Sequence, residues 1–515
     1  MKNRLADRLC DALLLLLALA GGAGACALLA GIPLFRFAGA RWAASPYGAY
    51  LPGDGVLLSR FLAAFLAGLG GLALVILSWP RGIDRALRVL VGVWQKIEAQ
   101  GRGKRLLLLF LLALALGVYA SSFQIGTHSD DYVWRLESQR SAADLRHVFS
   151  LSVSHFFKPL THLFHLVNFR LFAGSPHLAH LGGFLLHGLN AFLLYLVVLA
   201  LSRRKGMSFL AAVLFCVYSV SNRSVMWLSG SEITLGATFY LLTVHFYLAH
   251  LERENRRPLA LALLFCVLGV LTKDAVITVV PTLVLIALFR KRSRLRLTVV
   301  LFGSVAALQV AVQFLIQSDS FLITEGIYRF QPALLLKNLC LYLFVSVVPQ
   351  GHKLLVGFPP LRSLACLAVP VVLLLVFVRG TRLTRFFLLW DLLLLTPFLP
   401  FDLPVQPRYL YLPALALTPL LAGLLQYAWQ NLFAKLEKGR PLFALLLVLV
   451  VAGNALIVHG AATRMAAESR HTEEYLASLR ADRAKMAGIR RGTLPADSPL
   501  PLGHLVCALE VDHEE

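Results

Sequence analysis

The sequence predicts an all-α fold of about thirteen membrane-spanning helices, on three observations. Of its 515 residues, 58% are hydrophobic and 15% charged, with a mean hydropathy of +0.73; a soluble domain carries roughly a quarter of its residues as charge and could not bury so much apolar surface. Apolar runs of roughly 20 residues recur along the chain, about the length that crosses a hydrocarbon core. These runs are continuous rather than alternating, and lipid cannot satisfy exposed backbone groups, so helices are favoured over a barrel.

The net charge of +22 and isoelectric point near 10.1 would suggest nucleic acid in a soluble protein. Here the basic residues sit in short loops between apolar runs, without interleaved aromatics, which is the positive-inside pattern and speaks against a nucleic-acid partner. Such loops carry Arg81 to Arg105, Arg203 to Lys205, Arg253 to Arg257, Arg290 to Arg296, Arg379 to Arg385 and Lys435 to Arg440. With them in the cytoplasm, spans fall at 10–33, 56–79, 105–122, 179–202, 207–222, 233–250, 258–272, 275–290, 297–316, 363–378, 385–400, 409–427 and 442–459. The apolar run after Met1 to Arg8 continues to Leu34 and is expected to be the first span, not a cleaved leader. Segments 258–272 and 275–290 are each short for a crossing and meet at Lys273-Asp274, which predicts a bent hairpin. The expected organisation is two N-terminal spans and a basic loop (1–104), a helical core (105–460) and a short outer tail (461–515). A tail helix is predicted from about Glu468 to Met486. The seven cysteines show no disulfide or metal-ligand spacing.

This topology concentrates polar residues in a few non-cytoplasmic segments. The largest, 123–178, opens with Asp130-Asp131 and contains an amphipathic stretch from Leu145 to Phe172 suited to the interface. A carboxylate pair beside lipid is a functional candidate or a solvated loop pair; adjacent residues point apart, so at most one faces a reacting group. His162 and His165, or His180 and His187, could share a helix face and a metal, but the spacing is generic and satisfied interfacial histidines are the simpler expectation. Asn190, one turn beyond His187, suits an interhelical hydrogen bond. Arg408 opens Arg-Tyr-Leu-Tyr-Leu-Pro at the outer end of a span, where a guanidinium either grips a phosphate or snorkels beside aromatic anchors, here Tyr409 and Tyr411. Lys273 and Asp274 either neutralise each other or offer the lysine to an anionic headgroup.

Taken in order, these segments resemble the polyprenyl-phosphate-sugar-dependent GT-C glycosyltransferases. Among these they resemble the membrane part of the tetratricopeptide-containing protein O-mannosyltransferase family and its bacterial relatives. Asp130-Asp131 is similar to that family's acidic pair, and Phe157-Lys158-Pro159-Leu160 to its Tyr-Arg-Pro-Leu element. Pro176 to Asn190 resembles its histidine-and-asparagine helix, and Trp227-Leu228-Ser229-Gly230-Ser231-Glu232 its Trp-Ile-Ser-Gly loop ending on an acid. Leu271-Thr272-Lys273-Asp274 is similar to its Ser-Lys-Glu motif, and Arg408 to Pro413 to its Arg-Tyr-Leu-Tyr-Leu-Pro. The likeness covers about residues 105–460, with lysine for arginine at 158, aspartate for glutamate at 274, and no repeat domain after the last span.

The resemblance implies a GT-C-like helical core with a large first outer loop, and inverting transfer of a sugar from a polyprenyl-phosphate donor to an acceptor hydroxyl at the outer face of the bilayer. It implies Asp130 or Asp131 as general base; Arg408, Tyr409, Tyr411, Lys273 and Lys158 around the donor phosphate; and Glu232, Asp274, His187, Asn190 and Trp227 in acceptor or supporting roles. The acceptor is a protein, lipid or polysaccharide. No cofactor or metal is required, although a divalent cation is admitted. The expected location is a bacterial inner membrane, with the site facing the periplasm or outside. The competing readings are a ligase or polymerase using lipid-diphosphate donors, and a lipid or sugar transporter or flippase; against the last, the charged motifs lie on one side and no inverted pair of broken helices is present.

Overall fold

A computed structural model describes residues 103–150, 157–172, 175–290, 295–317, 329–348, 359–402, 405–436 and 438–482, then 485, 489, 495, 498, 500 and 502–511. The spans expected at 10–33 and 56–79, and the basic loop from Arg81 up to Arg102, lie outside the described residues. Among the described residues there is no sheet, only one isolated bridge between Phe330 and Phe401.

Among the described residues six helices are long and apolar enough to cross a membrane, within Gly103–Gln124, Pro176–Ser202, Ser231–Arg253, Leu295–Leu315, Arg362–Arg379 and Gly439–Arg480. The expected count of about thirteen spans is not confirmed; shorter apolar helices lie at Lys205–Val217, Asp274–Phe289 and Pro332–Val347. In chain order the helices are α1 (Gly103–Tyr119), α2 (Asp131–Ala143), α3 (Pro159–Leu171), α4 (Pro176–Ser202), α5 (Lys205–Val217), the single turn α6 (Arg223–Met226), α7 (Ser231–Arg253) and α8 (Arg256–Val270). Then follow α9 (Val279–Phe289), α10 (Leu295–Gln317), α11 (Leu335–Val347), α12 (Pro359–Arg379), α13 (Arg382–Leu395), α14 (Ala414–Asn431), α15 (Gly439–Ala481) and α16 (Leu502–Val511).

Two segments depart from the sequence expectation. The stretch 317–362, expected as an outer loop, contains α11, a helix of 13 residues too short for the window that marks a span. Its Asn338 amide donates to the carbonyls of Leu399 (2.8 Å) and Phe401 (3.0 Å), tying it to the end of α13. The tail helix is not separate from the last span: α15 runs 43 residues without a break, its proline, Pro441, falling in the first turn where no intrahelical N–H bond is lost.

The chain divides into two units, Met1–Leu106 with Leu424–Gly453, and Leu107–Gly423 with Asn454–Glu515. In the described part of the first, Phe443 packs against Trp429 and Phe433. The second unit holds every candidate residue. Its centre is a buried polar junction of α4, α5, α7 and the residues before α14. His187 Nε2 donates to the Cys216 carbonyl (3.0 Å), which leaves Nδ1 to accept from the Tyr411 hydroxyl (2.8 Å). Asn190 donates to that hydroxyl (3.2 Å) and to the Thr234 carbonyl (2.8 Å), and accepts from Thr238 (2.7 Å). Small residues let the helices approach: a Cβ on Gly188 would lie 3.0 Å from the Leu112 backbone.

The two ends of α7 differ in charge. At its C-terminal end Glu252 pairs with Arg203 (2.6 Å) and Arg290 (4.0 Å), while Arg382 reaches the Phe289 carbonyl, so three of the basic loops meet there. Glu232 marks the other end, about 30 Å away at 1.5 Å per residue. Replacing Asn190 by leucine removes three hydrogen bonds and leaves Thr238 and Tyr411 partly unpaired in a buried site; thermal unfolding of the purified protein is expected to show a loss of about 1–2 kcal/mol.

Candidate functional site

The segment from Trp227 to Glu232 joins α6 to α7 in a turn so tight that a Cβ on Gly230 would lie 2.5 Å from the Arg223 carbonyl and 3.1 Å from Ser224 Cα. Only glycine fits that approach. Three groups of candidate residues gather on this turn, each through a different one of its residues.

At Ser229 the turn meets the acidic pair. Asp131 is fully buried; its Oδ1 accepts from the Ser229 amide (2.8 Å) and from the Ser229 hydroxyl, and its Oδ2 from the His128 amide (3.1 Å). Burial pushes its carboxyl up to about 7, against the pull of the Ser229 and His128 hydrogen bonds and with a smaller push from Asp130. Asp130 precedes the first turn of α2, half-buried, with a hydrogen bond from the Ser129 hydroxyl at 3.3 Å. Ser129 itself takes a left-handed conformation (φ 51°), which breaks the chain direction immediately before the pair.

At Trp227 the turn meets the arginine. The indole donates to the His128 carbonyl (3.1 Å), and the Arg408 guanidinium lies 5.5 Å from its ring and 5.2 Å from the Tyr409 ring. The Ser224 hydroxyl donates to the Arg408 carbonyl (2.8 Å), and Tyr409 stacks on Phe398 at 4.6 Å. Arg223, with Arg408 and Arg464 close enough to repel it and Glu468 to attract it, adds to a cationic rim; burial lowers its affinity for a proton.

At Glu232 the turn meets both lysines. Lys158 donates to one carboxylate oxygen at 3.1 Å and Lys273 to the other. Exposure of the three side chains is only 6%, 18% and 13% for Lys158, Lys273 and Glu232, so the ions are largely desolvated. Burial holds the Lys158 ammonium below the usual lysine range, while Glu232 pulls it back up. The start of α3 is held to the hairpin by the Thr161 hydroxyl on the Thr272 carbonyl (2.8 Å). Lys273 turns its ammonium to Glu232, and Asp274 accepts from Gln313 at 2.9 Å while its charge still acts on both lysines.

Of the candidates from sequence, Asp130, Asp131, Trp227, Glu232, Lys158, Lys273, Arg408 and Tyr409 thus share one end of the bundle. Tyr411, His187 and Asn190 do not: the buried junction of helices uses all three, and the Tyr411 hydroxyl is spent between His187 and Asn190. His180 donates to the Ile125 carbonyl (3.2 Å) and His162 Nδ1 lies 3.7 Å from the Glu137 carboxylate, whereas among the described residues neither ring nitrogen of His165 meets a hydrogen-bond partner, contrary to the expectation of satisfied histidines. Burial drives His162 and His165 down to about 4 and about 3, so they are neutral, and His165 stacks on Trp134 at 4.7 Å. Sequence reading missed Glu137, buried on α2 and paired with His147 at 2.8 Å, and His128, whose backbone serves both Asp131 and Trp227. No spacing rule marks either. Among the described residues no group of three histidine, cysteine, aspartate or glutamate side chains is placed to hold a metal ion.

No family model matches the chain, and no curated protein does. Among solved structures, the apo oligosaccharyltransferase of Archaeoglobus fulgidus is similar, with a TM-score of 0.43 and 15% identity over 70% of this chain and 56% of that one. This chain therefore spans little more than half the length of that structure, and what the site does rests on its own residues.

Two outcomes follow. Glu232→Gln leaves two ammonium groups buried side by side and is expected to destabilise the protein by roughly 3 kcal/mol. Adding Lys158→Met should recover part of that loss in thermal unfolding. For Asp131, the native carboxyl keeps its proton up to about pH 7, whereas an unfolded aspartate releases it near 4. The native state then binds more protons in that window, so stability is highest below it and falls as pH rises from about 4 to 7. Asp131→Asn should flatten the slope of melting temperature against pH there.

Proposed function

We propose that this chain is a membrane glycosyltransferase that moves a sugar from a polyprenyl-phosphate-linked donor to an acceptor hydroxyl. The observation that carries this is the gathering, on one six-residue turn, of a buried aspartate with a half-buried one beside it in the chain, an arginine near two aromatic rings and a lysine pair around one carboxylate. All lie at the end of α7 opposite the basic cluster. If the basic end faces the cytoplasm, the site faces the outer leaflet, where activated sugars are carried on lipid phosphates.

The division of labour follows from burial. Asp131 uses both oxygens on Ser229 and His128 and fixes the start of α2; Asp130, beside it and half-buried, is the general base that takes the acceptor proton as the hydroxyl attacks the anomeric carbon. The bond from that carbon to the phosphate oxygen breaks in the same displacement, with inversion. Negative charge then grows on the leaving phosphate, and Arg408 stabilises it, assisted by the ammonium groups of Lys158 and Lys273. The flat guanidinium is held at a set angle by Trp227 and Tyr409, so little entropy is lost when it engages two phosphate oxygens.

The test is transfer of radiolabelled sugar from polyprenyl monophosphate and diphosphate donors to added acceptors. Asp130→Asn is expected to lower turnover by about 100- to 10,000-fold, equal to roughly 3–5 kcal/mol, with the melting temperature unchanged. Arg408→Gln should weaken donor affinity as well as turnover. Wild-type rates and affinities in both variants would remove these roles, and no donor consumption by wild type across the panel would remove the transferase reading itself.

A further inference from the structure

The C-terminal segment was the part of the chain with no assigned role, yet it reaches the residues that carry the acidic pair. α15 passes Asn454, whose side chain accepts from the Ser219 amide and hydroxyl at the site end of α5, and continues to Ala481 beside the loop before α2. There the Ser469 hydroxyl accepts from the Gly126 amide at 3.0 Å. Glu473 lies so close that a Cβ on Gly126 would stand 2.3 Å from its carboxylate oxygen. Glu468 faces His128 at 3.8 Å. Gly126 and His128 are thus both met from this one helix, immediately before the left-handed Ser129 and Asp130.

The contact continues along α2. Its Tyr132 and Leu136 are buried in an apolar cluster with Leu476 and Leu479 of α15 and Leu505 and Leu509 of α16. The other side of the acidic pair is held by Ser229. The helix that starts at Asp130-Asp131 is therefore clamped between two jaws, the turn at 227–232 and the C-terminal segment. A carboxylate displaced by an ångström from its acceptor loses much of its effect as a base, so a jaw that sets the loop also sets the rate.

We propose that the C-terminal segment is a working part of the site, with Ser469 as the positioning residue that holds loop 125–129 and so aims Asp130. The rate effect rests on the glycosyltransferase reading above; the clamp itself does not. A segment that only covered apolar surface would need no hydrogen bond to the Gly126 amide and no close approach at that glycine.

The experiment is hydrogen–deuterium exchange of the full chain in nanodiscs, paired with donor kinetics, for wild type, Ser469→Ala, Ser469→Thr and Leu479→Ala. Ser469→Ala should speed exchange across 125–136 by about tenfold while leaving α4 unchanged. It should also lower kcat by about tenfold at constant donor KM, with threonine restoring both. Leu479→Ala should loosen α2 in the same segment, a check that does not depend on one hydroxyl. Exchange in 125–136 unchanged in both variants would overturn the clamp. Faster exchange with wild-type kcat would overturn the positioning role and leave the clamp. If wild type consumes no donor, the transferase reading fails, and the exchange data alone decide whether the tail holds the acidic helix.

Discussion

The hydrogen bonds from Ser229 to the buried carboxylate of Asp131 are the constraint on which the rest of the site depends. A carboxylate with no exposure is tolerable only where its oxygens are met by fixed donors, and here two of the three come from one residue of a turn that only glycine at 230 can form. Because the same turn carries Trp227 and Glu232, fixing Ser229 against α2 also fixes where the arginine and the lysines stand relative to the acidic pair. One short segment thereby sets the spacing of groups drawn from residues 130 to 408.

Charge is balanced locally rather than across the molecule. Glu232 lies between two lysines, with Asp274 acting on both as well, and Glu252 lies between two arginines at the opposite end of the same helix, where positive charge is in excess. At the basic end that excess orients the helix in a bilayer. At the other, Arg408 lies 5.5 Å from the Trp227 ring and 5.2 Å from the Tyr409 ring.

Much of the helical layout was legible because hydrophobic length is a one-dimensional property. The runs at 179–202 and 233–250 became α4 and α7 within a few residues, and the doubtful pair at 258–290 became two short helices around a hairpin. α11 was not legible: its apolar run is short, and what holds it is Asn338 on carbonyls more than 60 residues away, which no local pattern reports. Among the site residues, Lys273 stood out as a charge interrupting apolar sequence, Asp130 and Arg408 as charges at the outer ends of spans, and Lys158 only through the resemblance of its motif. His128 and Ser469 did not, since a backbone carbonyl or a single hydroxyl has no signature until its partner is known.

By itself the sequence determined the class of solvent, the helical class of fold, the end of each helix that carries basic charge and the set of residues too costly to leave in lipid without a role. Those follow from transfer free energies, which depend on residue type and order alone. Only the tertiary structure decided pairing. It turned Lys273 from Asp274 to Glu232, drew Tyr411 into the helical junction, separated a buried Asp131 from a half-buried Asp130, and laid the C-terminal helix against the loop that carries them. Hydrogen bonds and ion pairs depend on distance in space, and neighbours in sequence are not what sets it.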